Sequence, residues 1–334
     1  MARTAKETEG ITTWPGGIIQ VKIPLPFSLK WVNSYLVPEE GGYTLIDPGL
    51  RTEEAEAAWA RAMEELGFGF GDIRRIVLTH QHPDHYGLAG WFQERSDAPV
   101  RMSRQSHAYT KRLWGENRSF NAELIGLFAL HGMPAPQLEA VAAHLESFVE
   151  RVTPQPEVTY LEAGERLRMG GVDWVALDAP GHARGQLCFY AEEAGWMICG
   201  DQVLPDITPN ISVVPGEDAD PLARFLDSLA ELGRLEVRLA FPGHRDPFAD
   251  FGGRIRAIAA HHDRRLAQIE ELAAAGMQTG YALCEALFGA RIAGSAHNLR
   301  FAMAETLAHL VYLARSGRLA ASESAGEILY SPAG

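Results

Sequence analysis

The residues in this 334-residue chain best suited to chemistry sit in Ile76-Val-Leu-Thr-His-Gln-His-Pro-Asp-His85, where an apolar run stops at a polar turn. His80 and His82 are two apart, so on extended backbone both imidazoles point to one side and suit one metal ion. Pro83 donates no hydrogen bond and turns the chain, re-aiming Asp84 and His85, whose natural use is a second metal nearby. A chance cluster of polar loop residues would not be expected to place so many metal-capable groups directly after a β-branched strand.

Three single residues repeat the same device further along. His182 stands in Ala179-Pro-Gly-His182, Asp201 closes the apolar run Trp196-Met-Ile-Cys-Gly-Asp201, and His244 follows Leu239-Ala-Phe-Pro-Gly-His244. Alone, each reads equally well as a ligand or as a structural turn residue. Together they place one polar group at the end of each of three buried strands. Asp47, in Ile46-Asp-Pro-Gly49, ends another strand, where it either orients a metal-binding histidine or caps its own turn.

The elements that must position these groups are legible from pattern. Residues 17–23, 31–37 and 43–47 read as an antiparallel meander, 52–67 as a helix stopped at Gly67, and 85–95 as a helix fed directly by the histidine turn. Residues 99–102 read as a strand. Residues 103–151 read as a helical insertion broken at 131–136, placed to lie as a lid over a substrate. Its His107, His131 and His144 lack partners at ligand spacing and read as ordinary helix or loop histidines. A second meander begins near Val158 and includes 172–179, 186–190 and 196–201. From about 253 the pattern is helical (253–275, 279–288, 295–316) before a hairpin-like tail, a small winged-helix-like appendage.

Composition narrows the function classes. The apolar fraction of 46% and charged fraction of 22% are those of an ordinary globular protein, long enough for a catalytic domain plus an appendage. A net charge of −13 argues against nucleic acid and anionic lipid as partners and for a small molecule. No apolar run reaches membrane-spanning length, and the polar start Met1–Gly10 has no apolar core, so the expected location is cytoplasmic. Cys188, Cys199 and Cys284 are odd in number, far apart and set in apolar runs, which predicts buried free thiols.

The set His80-Gln-His-Pro-Asp-His85, Pro180-Gly-His182, Cys199-Gly-Asp201 and Pro242-Gly-His244, supported by Ile46-Asp-Pro-Gly49, resembles the metallo-β-lactamase-fold hydrolase superfamily over about residues 14–248. The tail, 249–334, resembles more loosely the winged-helix-like tail of its lactamase-like members; glyoxalase II enzymes are the other point of comparison. The resemblance implies an αββα sandwich of the α/β (α+β) class with the metals at one edge. It implies that His80, His82 and His182 hold one ion, that Asp84, His85 and His244 hold another, and that Asp201 bridges them. Asp84 and Asp201 would then be the catalytic carboxylates around a hydroxide shared by two divalent metals, zinc foremost, with iron or manganese compatible with the same donors.

The expected reaction is hydrolysis of an ester-like acyl bond, a thioester first, on a small-molecule acyl substrate; a homodimer is left open. Lactone hydrolysis is the nearest alternative. An RNA-processing nuclease and a mononuclear-iron persulfide dioxygenase are the alternatives from other classes. Tyr86, next to the motif, is expected to pack in the core rather than to act on a lactone.

Overall fold

The computed structural model describes residues 7, 8, 10–116 and 118–333; the first six residues of the polar start lie outside them. Two sheets lie back to back. The larger has eight strands in chain order: 7–8, 11–13, Ile19–Pro24, Trp31–Glu39, Gly42–Ile46, Ile73–Val77, Val100–Met102 and Val158–Tyr160. Its first five strands pair antiparallel and its last three join in parallel. The second sheet runs Leu239–Pro242, Trp196–Gly200, Leu187–Ala191, Val172–Asp178, Arg166–Met169, with only the first of these pairings parallel.

Alternation along the strands explains the layering. Tyr35, Val37, Ile46 and Val77 point inward against Trp174, Leu187, Phe189, Ile198 and Phe241 of the other sheet. Their chain neighbours Leu36, Leu45, Ile76 and Leu78 point outward beneath helices Glu53–Leu66 and Ala89–Ser96. Both faces of each sheet are therefore covered, so the strands read as apolar runs rather than as half-polar ones. Cys188 and Cys199 take the outward positions of the second sheet and are buried free thiols, as is Cys284. The chain is a mixed α/β sandwich with helices outside.

The segment after Met102 forms three helices, Arg104–Trp114, Phe120–Leu130 and Ala135–Glu146, with the expected break at 131–134. A helix at Pro221–Leu232, absent from the sequence reading, starts where the Asp220 carboxylate accepts from the Ala223 N–H and buries Leu222, Phe225, Leu229 and Leu232. Short strands 7–8, 11–13 and 166–169 were also unanticipated, and Val158–Tyr160, expected to open the second meander, instead pairs with Val100–Met102 at the edge of the first sheet. Beyond residue 250 lie helices Phe251–Ala273, Gly280–Phe288 and Ala296–Arg315 and a three-stranded sheet ordered 278–279, Glu327–Pro332, Leu319–Ser324. That is the helix and hairpin order expected of the appendage. Its helices share one core cluster with the second sheet and the 104–146 helices, so the tail packs onto the same side of the sandwich. No helix among the described residues is long and apolar enough to cross a membrane.

Candidate metal centre

The strand Ile73–Val77 ends just before the motif. Thr79 bends, His82 stands extended at φ −60°, ψ 144°, and Pro83–Tyr86 then closes a helical turn. A separate helical turn thus forms at Pro83, because proline's fixed φ suits a first helical position, and the helix expected from His85 begins only at Ala89, after a two-residue turn. This switch gives the four groups two directions. His80 Nε2 lies 3.0 Å from His82 Nδ1, and His182, from the loop after Val172–Asp178, completes a triangle of imidazoles with them. Asp84 and His85, from the helical turn, meet His244 instead: His244 Nε2 is 3.2 Å from Asp84 Oδ2, and His85 Nε2 is 3.9 Å from the same oxygen.

Asp201 stands between the groups. Its Oδ1 is 3.4 Å from His85 Nε2, and its Oδ2 is 3.3 Å from His244 Nε2 and 3.6 Å from His182 Nε2. All seven predicted residues therefore converge on one rim of the sandwich. Gly243 makes the approach possible, since a Cβ there would collide with Asp201 Oδ1 and lie 2.6 Å from His85 Cε1.

Four of the five imidazoles, His82 excepted, are aimed by their other nitrogen. His182 Nδ1 is 2.9 Å from the Asn210 carbonyl, His244 Nδ1 is 2.9 Å from the Trp31 carbonyl, and His85 Nδ1 is 2.8 Å from Asp47 Oδ2. Asp47 also accepts from Thr79: the backbone N–H reaches Oδ1 at 2.8 Å and the hydroxyl reaches Oδ2 at 2.6 Å. The Thr79 oxygen, its proton given to Asp47, lies 2.9 Å from His80 Nδ1 and can accept from it. One buried carboxylate thus orients His85 directly and His80 through Thr79. Of the two readings left open for Asp47, the geometry shows side-chain contact with a histidine rather than self-capping. Asn33, buried in Trp31–Glu39, gives its amide to the carbonyls of Pro242 and Arg245 and so grips the loop bearing His244.

The fit to metal can be judged from the atoms left over. His85 Nε2, His182 Nε2, His244 Nε2 and Asp201 Oδ1 are buried without a hydrogen-bond partner, although buried polar atoms are normally paired. The three imidazole nitrogens face a common space with their opposite nitrogens already occupied, the arrangement of metal-ligating histidines. The electrostatics agree. Burial pushes His82 down to about 3, helped by the neighbouring His182. Burial also opposes charge on His244, yet Asp201 and Asp84 outweigh it and draw the imidazole up to about 10. The carboxylates of Asp84 and Asp201 among these histidines attract positive charge to this spot, and an all-nitrogen and oxygen donor set suits divalent ions.

Above the centre opens a cavity of about 330 Å³. Its walls come from the 104–146 helices (Leu113, Trp114, Leu124), from Phe27, from the 204–218 loop and from the helix Ala296–Arg315. Tyr86 is not among its lining residues. It is buried and stacked on Trp114 with ring centroids 5.3 Å apart, a packing residue as expected. His107 stacks loosely on Tyr160 and His131 on Tyr330, away from the centre, whereas His144 pairs with His297 of the cavity wall. Asn210, His297 and Arg300 were missed in the sequence, where nothing in their spacing marks them.

The model of the metallo-beta-lactamase superfamily matches residues 32–244, a span holding all seven converging side chains. The chain belongs to that superfamily. A second model, the metallo-beta-lactamase-like C-terminal domain, matches residues 266–333. A solved metallo-beta-lactamase family protein from Thermus thermophilus is 36% identical, with a TM-score of 0.85 over 95% of this chain and 98% of that one. Among curated proteins, the probable metallo-hydrolase YqjP of Bacillus subtilis (strain 168) is 26% identical over 300 residues, 88% of this chain and 91% of its own. An atrochrysone carboxyl ACP thioesterase of Claviceps purpurea (strain 20.1) is 22% identical over 247 residues, 74% of this chain and 61% of its own. This superfamily member is an enzyme of the metallo-hydrolase kind.

Proposed function

We propose that the chain is a dinuclear metal-dependent hydrolase of ester-like acyl bonds, thioesters foremost. The observation that carries this is the convergence of two donor triads, sharing Asp201, on the floor of a mainly apolar cavity. In this reading His80, His82 and His182 hold one ion, Asp84, His85 and His244 the other, Asp201 lies between them, and Asp47 fixes the orientation of His80 and His85. Zinc suits the donors best, with iron or manganese compatible. When bound, two such ions act as Lewis acids and lower the pKa of a shared water toward neutrality.

The chain's own residues supply the rest. The apolar walls accept an acyl chain and exclude bulk water, which strengthens every electrostatic contact inside. Burial raises Asp84, but His85 and His244 beside it more than offset this and keep it ionised. Lying at the cavity floor, Asp84 can take the proton of the attacking water and return it to the departing thiolate. The resemblance to a named ACP thioesterase supports a thioester over a lactone, and the packed position of Tyr86 removes the side chain that would have favoured a lactone. The helix Ala296–Arg315, which in a winged-helix reader would face nucleic acid, instead buries Leu299, Met303, Leu307 and Leu310 and walls the cavity, which supports a small-molecule partner. Three buried free thiols suit a reducing, cytoplasmic setting.

The test is a hydrolysis screen of zinc-, iron- and manganese-loaded protein on thioesters, lactones, simple esters and phosphodiesters, with metal content measured in parallel. Two metals per chain with kcat/KM highest on thioesters is the expected result. A single iron per chain with oxygen uptake on a persulfide, or turnover confined to phosphodiesters, would overturn it.

A further inference from the structure

The helix Ala296–Arg315 turns one face to the cavity, bringing His297, Arg300, Phe301 and Ala304 to its wall at helical spacing. Arg300 is the anomaly on that face. Its Nε is buried without a hydrogen-bond partner, and among the described residues no carboxylate lies within 4.0 Å of its guanidinium. The other two arginines of this region are committed: Arg112 to Glu123 and Glu217 at 2.7 and 2.9 Å, and Arg184 to Glu217 at 3.3 Å. Arg300 lies over its neighbour's ring, with Cζ 4.0 Å from the centroid of Phe301. Burial lowers it to about 10, still charged at neutral pH, and it is near enough to Asp84 to feel that carboxylate's charge. His297 beside it is kept neutral, drawn down to about 4 by burial and by Arg300.

Arg300 is half-buried with its Nε fully enclosed; a cation so withdrawn from water without a partner is costly, and the cavity is the side from which one can reach it. A guanidinium is a planar fork that matches a carboxylate with two parallel hydrogen bonds. We infer that Arg300 is the specificity-determining residue of the cavity and receives a carboxylate at the far end of the acyl group, so that the preferred substrates are thioesters of short dicarboxylic acids. This deepens the proposed thioester hydrolysis and rests on it for the reaction, though not for the binding of the anion. A cavity of about 330 Å³ holds an acyl group of a few carbons, with the reacting carbonyl over the histidines and the carboxylate against the helix.

Two measurements separate the parts. The first compares kcat/KM for glutaryl and pentanoyl thioesters of N-acetylcysteamine in the metal-loaded wild type, Arg300→Met and Arg300→Lys. The wild type is expected to prefer the glutaryl compound. Arg300→Met should lose about 10- to 100-fold on it, the loss for a charged hydrogen-bonded pair, with the pentanoyl rate retained. Arg300→Lys, with charge but no fork, should fall between. The second uses the metal-free protein and follows quenching of tryptophan fluorescence by glutaric acid monoamide, with thermal midpoints confirming that the variants fold.

Binding of the monoamide that vanishes in Arg300→Met supports the inference even if no thioester is turned over. Equal glutaryl and pentanoyl hydrolysis by wild type and Arg300→Met would overturn it while leaving thioester hydrolysis standing. Monoamide binding unchanged in Arg300→Met would place the anion on the histidines and would also overturn it. A phosphopantetheine thioester preferred over the glutaryl compound, with the preference lost in Arg300→Met, would assign the fork to a phosphate on the thiol side and overturn the carboxylate assignment.

Discussion

Replacing Asp47 by Asn exchanges one oxygen for an NH₂ at the point where both histidine groups are oriented. Asp47 accepts three hydrogen bonds, from the Thr79 N–H at 2.8 Å, the Thr79 hydroxyl at 2.6 Å and His85 Nδ1 at 2.8 Å. An amide cannot accept all three. With its NH₂ toward His85, the imidazole must offer Nδ1 as acceptor, which moves the ring proton to Nε2, the atom that faces Asp201 and Asp84. With the amide turned over, its NH₂ meets the Thr79 N–H donor to donor. The first arrangement closes Nε2 to a metal ion, and the second leaves a buried donor unmet, at about 1–3 kcal/mol. Loss of such an orienting partner typically weakens metal binding about 10- to 100-fold, or about 1.4–2.8 kcal/mol. The expected outcome is a folded Asp47→Asn protein in which the ion proposed for Asp84, His85 and His244 is lost first. Competition against a chelator with metal counting per chain measures it. Thr79→Val is the companion, since it removes the contact to His80 while sparing that to His85, and should weaken the other ion preferentially. Wild-type affinity at both sites in Asp47→Asn would refute the reasoning.

Gly243→Ala should abolish binding of the second ion and cost stability, because the added methyl occupies the position of Asp201 Oδ1; retention of two metals would show that the loop yields. In the metal-free protein His244 stands near 10 against an ordinary value near 6.5, so its raised pKa contributes stability below pH 6.5 that is lost as pH rises toward 10. Thermal midpoints of chelator-treated protein should accordingly fall across that window, while loading metal at pH 7.5 should release a proton, read with a pH indicator. Tyr86→Phe should leave kcat/KM within about twofold, since its hydroxyl makes no hydrogen bond among the described residues and its ring packs on Trp114. A large loss of turnover would return Tyr86 to the chemistry.

The strands and helices around the motif were readable because each carries local punctuation: glycine or proline at strand ends, acidic residues and Thr52 at the start of Glu53–Leu66, Gly67 at its end. The helix Pro221–Leu232 had equally good signals, an Asp220 cap and apolar residues at 222, 225, 229 and 232, and its periodicity could have found it. The same does not hold for Asn210, which acts through its carbonyl, an atom every residue possesses. Nor does it hold for Arg300, which in sequence is one arginine among many on an amphipathic helix.

What the sequence alone determined is the candidate donor set: His80, His82, Asp84, His85, His182, Asp201 and His244 are recognisable because ligand chemistry restricts residue type, and short spacing after a strand narrows direction. Which atom each donor presents was decided only by the tertiary structure. Asp47, Thr79, Asn210 and the Trp31 carbonyl come from separate parts of the chain and fix the ring tautomers by contact, and contact at that range is not written in spacing. The cavity likewise exists only because the tail folds back over the second sheet, bringing Arg300 to a wall that the sequence separates from His85 by more than two hundred residues.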